Sequence, residues 1–154
     1  MSVDTTSIVT ERPLFVEPKR RQADMDAILD LVIEHARDRC AEVWPGGTVD
    51  PDDIYWFWNT RLSSSAGMAY ARKGRQHGDR PAIGLAPDYY YQFGLDAVLR
   101  TARHELIHQW QYEHPDGFDS GGHGTDFKQW VDDLDTTRHC EHWSKQTYAA
   151  DLAD

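Results

Sequence analysis

The chain has 154 residues, 40% of them apolar, with six Trp, seven Tyr and five Phe. That is material for one compact core and too little for two full domains, and it excludes a disordered or fibrous chain. Net charge is −10, from 19 Asp and 7 Glu against 12 Arg and 4 Lys, which excludes a whole-chain electrostatic grip on nucleic acid.

An Asp-rich, Lys-poor surface stays hydrated when salt screens its self-repulsion, so the composition also points to a halophilic source. The N-terminus lacks the basic start and apolar run of a signal peptide, and no stretch reaches the roughly 18 apolar residues of a membrane span. The expectation is an intracellular, cytoplasmic protein with no membrane partner. Cys40 and Cys140 form no CxxC pair and read as two unpaired thiols rather than a zinc ribbon or a disulfide framework.

Residues 1–22 are polar and carry Pro13 and Pro18, an extended or flexible lead-in to a single domain over 23–136. Met25, Ile28, Leu29, Leu31, Val32, Ala36 and Cys40 recur at helical spacing, which predicts an amphipathic helix ended by Trp44, Pro45 and Gly46-Gly47. Asp53–Trp58, Gly67–Arg72 and Pro81–Ala86 read as three short strands, separated by turn-rich stretches and forming a small antiparallel sheet. Leu95, Val98, Leu99, Ala102, Leu106, Ile107 and Trp110 then trace a helical stripe to His114, closed by Pro115. Pro115–Gly124 is a glycine-rich loop. Thr125 reads as the N-cap of a second packed helix through Phe127, Trp130, Val131 and Leu134. Residues 137–154 read as a polar tail or short helix. The fold class expected is α+β.

His104-Glu105-Leu106-Ile107-His108 is an H-E-x-x-H motif inside this independently predicted helix. Two His four positions apart lie one turn above the other, so both imidazoles reach one ion at about 2.0–2.1 Å. Glu105 is rotated about 100° from His104 by helix geometry and sits beside the ion without being a ligand, the position of a general base. Two surface histidines on an ordinary helix would look the same in isolation, but Leu99, Leu106, Ile107 and Trp110 imply burial around them.

A catalytic zinc site needs a third protein ligand and an open position. His114 falls where metzincins place their last ligand, but Gln111 stands where that pattern needs a turning Gly, and all three Met lie upstream of where a Met-turn would be. His123, flanked by glycines directly before a predicted helix, is favoured, with Asp126, Asp132 and Asp133 as carboxylate alternatives.

The sequence resembles the SprT-like metallopeptidases, the family that includes the Spartan proteases acting on DNA-protein crosslinks. The resemblance rests on His104 to His108 and on Gly122-His123-Gly124-Thr125-Asp126-Phe127, which is similar to the family's G-H-G-x-x-F segment. Upstream, Trp58-Asn59-Thr60-Arg61-Leu62, Ala66-Gly67-Met68-Ala69-Tyr70 and Ile83-Gly84-Leu85 resemble the family's small sheet before the catalytic helix, and the whole spans roughly Asp24 to Leu134. It implies a small zincin-like domain and a zinc-dependent endopeptidase of protein substrates, including DNA-bound or DNA-crosslinked proteins. It also implies one zinc ion per chain on His104, His108 and His123, with Glu105 as the catalytic residue. Tyr89, Tyr90, Tyr91, Tyr112 and His114 are open as oxyanion donors, the Tyr89–Tyr91 run reading better as packing. His139, Cys140 and His142 cluster without the second Cys that a further zinc site would need.

Within Arg61–Arg80, Arg61, Arg72, Lys73, Arg75 and Arg80 face the lone acid Asp79, beside Tyr70 and near Trp56 and Trp58. Such a strip suits phosphates and stacked bases, or is a solvated hairpin that balances acidic neighbours. The alternative to a peptidase is a zinc-stabilised interaction module without turnover, whose sign would be a fourth protein ligand closing the site.

Overall fold

The computed structural model describes residues 18–71 and 79–139. Helix α1 (Pro18–Val43) opens the fold. Of its periodic residues, Met25, Ile28, Val32, Ala36 and Cys40 are buried, as the three-and-four spacing requires, while Leu29 and Leu31 at the edge of that face are partly buried. The helix ends where Trp44 closes a last turn onto Cys40 O at 2.8 Å and Gly47 takes a left-handed φ of 79°. A 3-10 turn, Pro51–Asp53, follows, capped by the Asp50 carboxylate accepting from Asp52 N at 3.0 Å.

Strands β1 (Tyr55–Trp58), β2 (Gly67–Tyr70) and β3 (Ala82–Leu85) occupy the three predicted segments. The sheet is mixed, not wholly antiparallel as expected. Its order is β1-β3-β2, with β2 antiparallel to β3 and β1 parallel to β3. β2 and β3 pair as a hairpin, but β3 enters between the other two, so β1 and β3 run the same way. The eight residues between β1 and β2 need only cross two strand spacings, about 10 Å, which that length permits. Central β3 is buried at every position, consistent with its unbroken apolar run Ala-Ile-Gly-Leu.

A short helix α2 (Pro87–Phe93), not foreseen as an element, buries Tyr89, Tyr90 and Tyr91. Gly94, at φ 89°, breaks it from α3 (Leu95–Glu113), a bend that a side chain would strain. Helix α3 packs against α1, α2 and strands β2 and β3, so most of its surface is covered. It ends as expected, with His114 extended ahead of Pro115.

The second packed helix shrinks to one turn, α4 (Thr125–Lys128), with Gly124 rather than Thr125 at its N-cap. Beyond it the chain runs through turns closed by bonds such as Val131 N to Lys128 O at 3.2 Å and Thr136 N to Val131 O at 3.0 Å. The predicted packing residues nonetheless pack. Phe127 and Leu134 are fully buried, and Trp130 meets Trp44 and Trp110 edge-on at 5.4 and 5.3 Å, joining this segment to α1 and α3. Tertiary packing of alternating large side chains holds the turns without a regular helix. Cys40 is a free, buried thiol whose pKa burial pushes up to about 12. Cys140 and the predicted C-terminal helix lie outside the described residues. Among the described residues no helix is long and apolar enough to cross a membrane.

Candidate metal centre

Three elements bring the site together: α3 supplies His104, Glu105 and His108, the glycine-rich loop supplies His123, and α4 supplies a floor. One ring nitrogen of each histidine lies within 4.8 Å of the others, and His104 Nε2 is 3.3 Å from His123 Nε2. Phe127 packs against all three rings at centroid distances of 4.7, 4.9 and 5.0 Å, fixing the depth to which they converge.

The outer nitrogens are braced. His104 Nδ1 lies 2.7 Å from Thr137 O, and His108 Nδ1 lies 2.7 Å from Gln111 Oε1. Both partners are acceptors, so each Nδ1 carries the proton and donates it, leaving Nε2 as a lone pair facing inward. The His123 backbone is held by Arg138 Nε, which donates to its carbonyl at 2.7 Å. Thr137 is itself tethered, because Thr136 donates to Arg100 O and Arg103 donates twice to Asp135 O, at 3.0 and 2.8 Å.

Burial lowers the pKa of all three histidines, that of His104 to about 4. They are therefore neutral at pH 7, and His104, with its proton on Nδ1, presents its Nε2 lone pair to His123 Nε2 3.3 Å away. About 3.3 Å is also the edge of a tetrahedron of nitrogens each 2.0–2.1 Å from zinc. The donor chemistry and the spacing both fit a zinc ion. Among the described residues no fourth His, Cys, Asp or Glu joins the cluster.

Glu105 is buried next to the cluster and is not one of its donors. Burial raises its carboxyl pKa to about 8, opposed by a hydrogen bond from the Ala69 backbone N–H on β2. Gly67 makes this approach of strand to helix close enough: a Cβ there would lie 2.9 Å from Thr101 Cγ2 and 3.2 Å from Glu105 Cγ. Tyr112, two turns further along α3, has its hydroxyl 3.4 Å from Ala69 O, and its pKa is raised by burial and then by Glu105.

The other candidates fall elsewhere. His114 stacks on Trp110 at 4.0 Å, with Nδ1 2.9 Å from Trp110 O, at the far end of α3. Asp126 closes a clasp with Ser120, accepting from its hydroxyl at 2.6 Å and its N–H at 3.3 Å, and Asp132 and Asp133 are exposed. The clasp brings the chain so close that a Cβ at Gly124 would lie 2.0 Å from Ser120 O, which accounts for glycine after His123. Of the basic strip, Arg61 is exposed. Arg80 donates to Asp53 O and Ile54 O, both at 3.3 Å, and lies 5.9 Å from the Tyr55 ring. Arg72, Lys73 and Arg75 lie outside the described residues. His139, at the end of the described chain, has its ring 5.3 Å from that of His123.

The SprT-like family profile matches residues 35–148, most of the chain and all of the site. The chain belongs to the SprT-like family. This SprT-like chain is also 28% identical over 97 residues to "Protein SprT-like" of Streptococcus sanguinis (strain SK36), a match covering 59% of the chain and 61% of that protein. It thus spans about three-fifths of the length of that curated relative. No solved structure gives a significant match. Two groups that brace the histidines carry no sequence signal: Gln111, a polar residue on a helix, and the Thr137 carbonyl, which any residue at that position would supply.

Proposed function

We propose that the chain is a zinc-dependent endopeptidase that hydrolyses peptide bonds of protein substrates, with one zinc held by His104, His108 and His123. The observation that carries this reading is the meeting of three neutral imidazoles with a buried carboxyl group beside them that is not a donor and that bound zinc would shift to its charged form. Bound zinc would supply Lewis-acid polarisation of the scissile carbonyl and acidify a water towards a pKa of about 7.

Glu105 acts as the general base and then the general acid. Its carboxylate takes a proton from the attacking water and passes it to the leaving amine nitrogen. The Ala69 N–H keeps that carboxylate aimed through both transfers. Tyr112, the one oxyanion candidate beside Glu105, donates its hydroxyl hydrogen to the oxygen that gains charge as the carbonyl carbon becomes tetrahedral. The absence of a fourth donor among the described residues favours turnover over a closed structural site.

Glu105→Gln tests the reading directly. The variant is expected to keep one zinc per chain by elemental analysis and to lose hydrolysis of labelled casein by on the order of 10²–10⁴-fold. Cleavage retained in a preparation free of other proteases overturns it.

The substrate class extends to proteins bound on DNA, supported by the cationic strip of Arg61, Arg72, Lys73, Arg75 and Arg80 in an otherwise acidic chain. Single-stranded DNA is expected to bind the full chain and to weaken steeply with salt. Replacing Arg61, Arg72, Lys73 and Arg75 by Glu, leaving Arg80 with its carbonyl partners, is expected to abolish that binding. Unchanged binding removes DNA from the substrate class.

A further inference from the structure

Gln111 is fully buried three residues after His108, where the peptide-bond chemistry calls for no amide. Its side chain joins two segments. Oε1 accepts from His108 Nδ1 at 2.7 Å, while Nε2 donates to Gly117 O at 3.0 Å and Gly121 O at 3.4 Å. One end therefore fixes the tautomer and rotation of a ligand on α3. The other end fixes the loop that reaches the remaining ligand, His123, two residues beyond Gly121.

The chemistry of the side chain matches this double task. A carboxamide offers an acceptor at one end and two hydrogens at the other, one for each loop carbonyl. An apolar residue of the same volume would leave His108 Nδ1–H and the loop carbonyls inside the protein without these partners, at a cost well above that of the lost packing. The Ser120–Asp126 clasp ties the loop to α4 and Arg138 holds the His123 carbonyl, while Gln111, beside the Tyr112–Phe118 ring contact, gives the loop a hydrogen-bonded tie to α3.

We infer that Gln111 is a positioning residue that couples His108 to the His123 arm and thereby sets the affinity of the three-histidine site for zinc. The inference rests on the zinc reading given above. It assigns to one amide the role that separate outer partners usually share between ligands, and such partners typically govern metal affinity by about 10–100-fold.

Zinc dissociation constants of the full chain, measured by competition with a chromophoric chelator, test it in wild-type and His123→Ala backgrounds. Gln111→Met, which removes all three bonds, is expected to weaken zinc by about 10–100-fold. Gln111→Glu keeps the acceptor for His108 but turns a carboxyl oxygen towards the two loop carbonyls, so a loss of affinity that runs through the loop is expected. Because that loss runs through the loop, it should shrink to within about twofold once His123 is already alanine. Gln111 variants that bind zinc as tightly as wild type overturn the inference. So does an equal penalty for Gln111→Glu in both backgrounds, the mark of a general structural defect. A wild type that takes up no zinc overturns the zinc reading, and this inference with it.

Discussion

Each histidine of the cluster is held by a different kind of group: His104 by a backbone carbonyl, His108 by a buried amide, and His123 by an arginine on its own carbonyl. This explains which residues were legible beforehand. Helical spacing alone aligns His104 with His108 and turns Glu105 aside, and glycines around His123 mark a loop free to fold back. The braces leave no such trace, since Thr137 contributes only a carbonyl and Gln111 looks like any polar residue until its burial is known. On the peptidase reading the oxyanion donor is Tyr112, because the Tyr89–Tyr91 run is buried in α2, His114 stacks on Trp110, and the weak 3.4 Å bond from the Tyr112 hydroxyl to Ala69 O is easily exchanged. Tyr112→Phe removes one hydroxyl from a half-exposed ring. Casein hydrolysis by the variant is expected to fall by about 10²-fold in kcat with KM nearly unchanged, the pattern of a contact made only in the transition state. A rise in KM at constant kcat would make Tyr112 a substrate-binding residue instead.

The elements divide in the same way. Both long helices and all three strands were legible, because each carries an apolar period or a β-branched and aromatic run. Strand order was not, because it depends on which strand a loop carries across, and the loop between β1 and β2 is long enough for either arrangement. The single turn of α4 was misread as a helix because Phe127, Trp130, Val131 and Leu134 keep helical spacing while lying in a chain of turns. Glu105 sits at the contact of β2 on α3, and that contact depends on Gly67. Gly67→Ala would drive a Cβ into Thr101 Cγ2 and Glu105 Cγ. Overpacking of this kind costs about 1–3 kcal/mol, to be read from chemical denaturation of the metal-free chain. The strand must also lift Ala69 from Glu105, so cleavage should fall further than the loss of folded protein explains. A variant of unchanged stability and activity would mean that β2 adjusts freely at this contact.

For the molecule as a whole, the site makes stability depend on pH in two opposed ways. Burial holds the pKa of His35, His104, His108 and His123 below 6.5, so the folded state keeps them neutral while the unfolded chain takes up protons. Their contribution is therefore lost as pH falls from 6.5 towards the value of about 4 reached by His104. Glu105 works in the other direction. Its pKa rises from 4.5 to about 8, so its contribution is complete below 4.5 and is lost as pH climbs through 8. The metal-free protein should be most stable near the pH where the histidine loss ends, and weaken on the alkaline side through Glu105. Glu105→Gln cannot ionise. The thermal midpoint of the metal-free variant, relative to wild type, should therefore rise steadily between pH 4.5 and 8, measured at fixed ionic strength because a net charge of −10 makes stability salt-dependent in itself. Zinc should narrow that gap, since a dication beside Glu105 favours its charged form and binding stabilises the folded state by mass action. If the two metal-free midpoints instead run parallel across this range, Glu105 is ionised in the fold without cost. The carboxylate would then be solvated, and the dry proton shuttle between water and leaving amine would lose its physical basis.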